Sequence, residues 1–173
     1  PEDAIKAGMG LIPEDRKSQG CFLNNTIEWN ISIGNIRELT TNRIVNKKKI
    51  RKQAEKYEEM LSIKTPSLTQ KVGNLSGGNQ QKVVLAKVLA ANTDIIIFDE
   101  PTRGIDIGAR HEIYTMMSQL VEQGKSILMV SSDMEELIGM SDRIIILSEG
   151  KMSGMLNKNE FRQEKIMNFA SPK

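Results

Sequence analysis

The stretch Asp94-Ile95-Ile96-Ile97-Phe98-Asp99-Glu100-Pro101 is an apolar, largely β-branched run closed by acids at both ends and stopped by a proline. That pattern predicts a strand buried on both faces of a parallel sheet. In an open α/β sheet ligands lie beyond the carboxyl ends of the strands, so Asp99 and Glu100 are expected to face a crevice. Two adjacent acids at such a place suit phosphate chemistry. Mg²⁺ prefers one or two carboxylates with substrate phosphates completing its shell, which is a role for Asp99. Glu100 is then placed to polarise a water that attacks a terminal phosphate. An isolated Asp-Glu more often simply ends a strand, so the surrounding sequence has to decide.

Downstream, Ala109, Ile113, Met117, Leu120 and Val121 form the inward face of a helix that Gly124 stops. Ser126 to Ser131 reads as a second buried strand, Asp133 to Ile138 as a short helix and Arg143 to Leu147 as a third strand. Glu149-Gly150 supplies a hairpin turn into Lys151 to Met155, and a helix from about Lys158 to Phe169 closes the chain. Upstream, Ala4 to Ile12 reads as a strand running into an exposed loop from Pro13 to Gly20. Thr26 caps a short helix with Ile27 and Ile31 inward, and Ile50, Ala54, Tyr57 and Leu61 mark an amphipathic helix whose basic back is a solvated face. A second helix starts at Leu75-Ser76-Gly77-Gly78 and runs through Val83, Leu85 and Val88 to Ala91. The alternation in the second half predicts a parallel α/β sheet, with a middle third that is helical only.

The chain has 173 residues, 39% of them hydrophobic and 27% charged, an ordinary globular composition. A net charge of +2 gives no electrostatic ground for nucleic-acid binding. The single cysteine, Cys21, excludes an internal disulfide and shows no zinc spacing. Ile95 to Phe98 and Ile144 to Leu147 are far too short to span a bilayer. The chain opens at Pro1 without an initiator Met, inside sequence that reads as structured, and is expected to be a piece of something longer.

Leu75-Ser76-Gly77-Gly78-Asn79-Gln80 places a Ser and two Gly at a helix start, where exposed N–H groups lie at the positive end of the helix dipole and no Cβ blocks an anion. With the Asp-Glu strand following, the sequence resembles the ATP-binding cassette ATPases of membrane transporters. Leu75 to Gln80 looks like their signature motif, Ile95 to Glu100 their Walker B strand, and Gly104-Ile105-Asp106 their D-loop. Glu14-Asp15-Arg16-Lys17, Glu100-Pro101-Thr102-Arg103-Gly104-Ile105-Asp106 and Ser131-Ser132-Asp133 are similar to the second, C-terminal cassette of fused two-cassette monosaccharide importers of the ribose, galactose and xylose type.

This resemblance implies a P-loop NTPase-like α/β fold: a parallel sheet core with a helical subdomain, lacking its N-terminal part. Residues 1–37 would form the Q-loop region, 38–92 the helical subdomain and 93–173 the core with Walker B, D-loop, switch region and C-terminal helix. ATP and Mg²⁺ are the implied cofactors. Head-to-tail pairing with the first cassette would let Ser76, Gly77, Gly78 and Gln80 serve the partner's ATP. Asp99 and Glu100 would serve this cassette's own ATP, and Asp106 would sit at the dimer seam. A membrane permease, reached through the region of Phe22 and Trp29, and indirectly a sugar-binding protein are the implied partners, at the cytoplasmic face of the cell membrane. Soluble cassette proteins of DNA repair or translation would carry heptads or a basic linker, and neither is present.

Three departures qualify the resemblance. No G-x-x-x-x-G-K-[ST] loop is present: Gly124-Lys125-Ser126 lacks the first Gly and runs from helix to strand, so the phosphate loop is expected upstream of Pro1 and the isolated chain should be inactive. Glu14 stands where a Q-loop Gln would sit, and Ser132 where a switch His would sit. Losing one preorganised donor costs roughly 10²–10³ in rate, so a non-catalytic cassette that completes its partner's site is the alternative reading.

Overall fold

A computed structural model describes residues 1–171. The chain forms two compact units, Pro1–Val130 and Ser131–Lys173. The first begins with helix α1 (Glu2–Lys6), strand β1 (Met9–Ile12), helix α2 (Ile27–Ser32) and the short strands β2 (Thr40–Thr41) and β3 (Ile44–Val45). Helices α3 (Lys47–Met60) and α4 (Gly77–Ala90), strand β4 (Ile95–Asp99), helix α5 (Ile107–Glu122) and strand β5 (Ser126–Val130) complete it.

The strands β1, β4 and β5 pair in that order as a parallel sheet, with Leu11 opposite Ile97 and Ile97 opposite Leu128. Helix α4 lies close against β1: a Cβ on Gly10 would come within 2.4 Å of Val88, so only glycine fits there. Ile96 and Phe98 are buried, whereas Leu11, Ile95, Leu128 and Val130 are exposed. The expectation that β4 and β5 are buried on both faces is therefore corrected. Their apolar runs alternate between a covered and an open face in this chain, and an all-apolar run does not reveal which.

Three further readings change. Residues Glu2–Lys6 are helical rather than extended, with Glu2 and Asp3 in the first turn and Lys6 in the last complementing the helix dipole. Gly8, at φ 75°, then turns the chain into β1. Pro13 to Gly20 is largely exposed, as expected, but it is not an irregular loop. Asp15 accepts from the N–H groups of Lys17 and Ser18 at 3.0 and 3.2 Å and folds Arg16–Gly20 into a wide helical turn with Pro13 and Gly20 buried. The Ser18 hydroxyl, which donates to Asp15, and then those backbone bonds hold the Asp15 carboxyl below its ordinary range. The middle third is not only helical, because β2 and β3 pair across Asn42 and Arg43, both at positive φ. That turn has no glycine to announce it.

Helix α3 buries Ala54 and Tyr57, with Leu61 just beyond its end. Helix α5 buries Ile113, Met116, Met117 and Leu120, while Val121, expected inward, is exposed. Lys82 of α4 is buried, and its ammonium donates to Glu112 of α5 at 2.8 Å and to the Ser62 carbonyl at 3.0 Å.

The second unit contains α6 (Met134–Met140), β6 (Arg143–Ser148), β7 (Lys151–Asn157) and α7 (Gln163–Ala170). Strand β6, read as a third strand alternating with helices, pairs antiparallel with β7 across the expected Glu149-Gly150 turn. Ile144, Ile146, Leu156 and Ile166 form its core, and a Cβ on Gly154 would meet the Phe169 ring at 2.7 Å. The expected closing helix is a short turn at Lys158–Glu160 followed by α7. Among the described residues, no helix is long and apolar enough to cross a membrane.

Candidate functional site

Strand β4 delivers Asp99, half-buried, at its carboxyl end, on the open face shared by Ile95 and Ile97. The next residue, Glu100, takes a left-handed backbone at φ 47° while its N–H donates to Val130 O at 2.9 Å. Such a conformation costs a non-glycine residue about 1–3 kcal/mol and persists only where its surroundings impose it. Here the strand bond to Val130 holds one side. On the other, Arg103 N donates to Glu100 O and Ile105 N to Thr102 O, both at 3.1 Å. Gly104, at φ 65°, completes the turn, and Asp106 caps α5 by accepting from Ala109 N at 3.0 Å. One short loop thus carries the acids of the strand end and the capping acid of the next helix.

Helix α4 begins differently. Ser76 is its exposed N-cap, yet its hydroxyl accepts from the Asn79 side chain at 2.9 Å, and no side chain caps the helix. The first backbone N–H groups are left at the positive end of a 14-residue helix. Gly77 and Gly78 also lie close to neighbours within the chain: a Cβ on Gly77 would lie 2.7 Å from the movable end of the Arg16 side chain, and one on Gly78 3.0 Å from Ala109. Gln80 is 5% exposed and donates to the Val72 and Leu75 carbonyls at 3.4 and 3.1 Å. Its amide anchors the turn before the helix.

Glu14 forms an ion pair with Arg103. Arg16 reaches the same loop, donating to the Arg103 carbonyl at 3.0 Å and the Gly104 carbonyl at 3.3 Å. The first unit therefore brings the Glu14 segment, the start of α4 and the loop before Asp106 together around Arg16. Arg16 and Arg103 were legible only as parts of motifs, since 87 residues separate them. Ser132 belongs to the second unit, where it is exposed beside Asp133, the cap of α6, and Ser131, which bonds to buried Glu136. His111 is exposed on α5, in a groove also lined by Lys64, Lys82 and Glu112. Phe22 and Trp29 stack edge to face at 4.9 Å.

Gly124 ends α5 at φ 86°, and Lys125 pairs with Asp94 at 2.9 Å. Gly124-Lys125-Ser126 is therefore a helix C-terminus, not a phosphate loop. Among the described residues, no group of three or more His, Cys, Asp or Glu side chains could hold a metal ion. Asp99 fits the one-carboxylate share that Mg²⁺ takes when phosphates and water supply the remaining ligands.

Among solved structures the chain is similar to the dimeric structure of MJ0796, a bacterial ABC transporter cassette, with a TM-score of 0.71 and 25% identity over 88% of this chain and 63% of that one. The α/β fold is that of an ATP-binding cassette, as the motifs at Leu75–Gln80 and Ile95–Glu100 implied. A family model described as ABC transporter matches residues 3–103, and the chain belongs to that family. It is 47% identical over 171 residues to the ribose import ATP-binding protein RbsA of Clostridium tetani, covering 98% of this chain and 34% of that protein. It is 48% identical over 170 residues to the xylose import ATP-binding protein XylG of Moorella thermoacetica, again covering 98% and 34%. The chain thus spans about a third of the length of these relatives.

Proposed function

We propose that this chain is part of the ATP-hydrolysing subunit of an ABC importer for a monosaccharide of the ribose, galactose or xylose class, as the second cassette of a fused pair. The observation that carries the reading is the uncapped start of α4 in the same unit as the Asp99-Glu100 strand end. In a head-to-tail pair of cassettes, the N–H groups at Ser76, Gly77 and Gly78 bind the terminal phosphate of the ATP held by the first cassette. Gln80 supports them from behind by fixing the turn that leads into α4. Asp99 and Glu100 act on the ATP of this cassette. Mg²⁺, when bound, supplies charge neutralisation at the phosphates, with Asp99 as its protein carboxylate. Glu100 takes a proton from the attacking water, and its strained backbone holds the carboxylate at the strand end. Ser132 orients the γ-phosphate by hydrogen bonding without adding charge. Glu14 sits in the segment that links β1 to the permease-facing region of Phe22 and Trp29. Asp106 lies at the seam. The names of the ribose and xylose relatives support the sugar class. The permease, a sugar-binding protein and a peripheral position on the cytoplasmic membrane face follow from the family reading.

The alternative, a non-catalytic cassette that completes only its partner's site, is favoured by Ser132 and by the pairing of Glu14 with Arg103. Two variants of the full-length protein assembled with its permease separate these. If Glu100→Gln and Ser76→Arg both lower ATP turnover, this cassette is catalytic. Loss with Ser76→Arg alone identifies the non-catalytic one, and no loss with either refutes both.

A further inference from the structure

We propose that Arg16 is a positioning residue that locks the start of α4 and the loop before α5 to the segment after β1, so that the two phosphate-facing elements move as one. Its planar fork donates to the carbonyls of two consecutive residues, Arg103 and Gly104, at 3.0 and 3.3 Å. Those carbonyls belong to the turn that Gly104 makes at φ 65° immediately before the cap Asp106. The same guanidinium nitrogen that reaches Gly104 lies where a Cβ on Gly77 would be 2.7 Å away, which places it against the first turn of α4. Nε of Arg16 is buried and makes no hydrogen bond among the described residues, so the group is held here by the fork and by packing.

Three segments far apart in sequence thus share one rigid, always-charged group. Lysine cannot replace it, because an ammonium lacks the planar pair of donors that spans consecutive carbonyls. The Glu14–Arg103 pair lies alongside, but its side chains are 40% and 65% exposed, and exposed pairs of this kind contribute little. Lys87 also holds this segment to α4 by donating to the Gly20 carbonyl, but the tie to the Arg103–Gly104 turn is made by Arg16. A shift of residues 14–20 would pull the Gly104 turn and release the space beside Gly77 in one movement. Only the consequence for turnover depends on the reading above; the lock itself does not.

The test uses the full-length protein with its permease, as Arg16→Lys and Arg16→Met, with two readouts. Amide hydrogen exchange at residues 77–79 and 103–106 should rise together by about tenfold or more in both variants, the factor one charge-assisted hydrogen bond commands, with a thermal midpoint lowered by only a few degrees. ATP turnover should fall by a similar factor at an ATP KM within about twofold of wild type, since positioning and not ground-state binding is lost. Exchange that stays unchanged, or rises at only one of the two segments, overturns the lock. A wild-type protein that hydrolyses no ATP defeats the functional reading above, and exchange alone then decides the lock. If Arg16→Met fails to fold, Arg16→Lys, which keeps the charge and the stem, gives the same decision.

Discussion

Helices α4 and α5 begin a few ångströms apart, where Gly78 meets Ala109, and they begin in opposite ways. Helix α5 closes its own N-terminus, with the Asp106 carboxylate accepting from Ala109 N. Helix α4 carries a Ser at the same position and leaves the job undone, because the Ser76 hydroxyl accepts from Asn79 instead. Both helices are long enough to develop a dipole, at 16 and 14 residues. One end is neutralised for stability and the other is left able to receive an anion. Stability and ligand binding compete for the same N–H groups, and neighbouring helices resolve the competition differently.

The largest effect should come from the strand end that serves neither helix cap. Glu100→Gln in the assembled full-length transporter should lower ATP turnover by about 10²–10⁴, measured at saturating ATP, without lowering ATP binding. Next is a substitution that makes α4 start as α5 does. Ser76→Asp supplies an N-cap carboxylate, which should hold or raise the thermal midpoint while lowering turnover by about 10²–10³. Smaller again is the tie between the two helices. Glu112→Gln leaves the buried Lys82 ammonium with a neutral partner, and chemical denaturation should show a loss of about 1–3 kcal/mol.

The same tie has a pH signature. Hydrogen bonding to Lys82, then its charge, holds the Glu112 carboxyl below its ordinary value of 4.5. Its contribution is therefore fully present above pH 4.5 and is lost as pH falls through the lower folded-state value. Thermal midpoints followed downward from pH 6 should fall less in Glu112→Gln than in wild type. The smallest effect belongs to the cap of α5: Asp106→Ala should cost about 1 kcal/mol. For a folding unit of about 150–250 residues that is a lowering of the thermal midpoint by about 2–4 °C.

The start of α4 and the acidic strand end were legible because each is a local pattern: a Ser-Gly-Gly before an apolar helix, and an apolar run followed by acids. The Glu149-Gly150 hairpin was legible for the same reason, through its turn residues. What sequence could not show depends on distant neighbours. Ile95 and Ile96 look alike in the run, yet one is 37% exposed and the other fully buried, because the rest of the chain covers only one face of the sheet. Helix α1 is five residues long, too short to build a period. Gln80 reads as part of a phosphate-facing motif, and its burial against the Leu75 carbonyl is set by the turn before the helix rather than by the motif. Arg16 sits in a polar, turn-like segment, and nothing near it in sequence announces that its partners are the carbonyls at Arg103 and Gly104.

The uncapped start of α4 is where the proposed phosphate contact stands or falls. It is tested most directly by ATP turnover of the full-length Ser76→Asp transporter, measured beside its thermal midpoint. A helix start that receives phosphate gives turnover reduced by about a hundredfold or more with a midpoint equal to or above wild type. Unchanged turnover in a protein that folds equally well would contradict it.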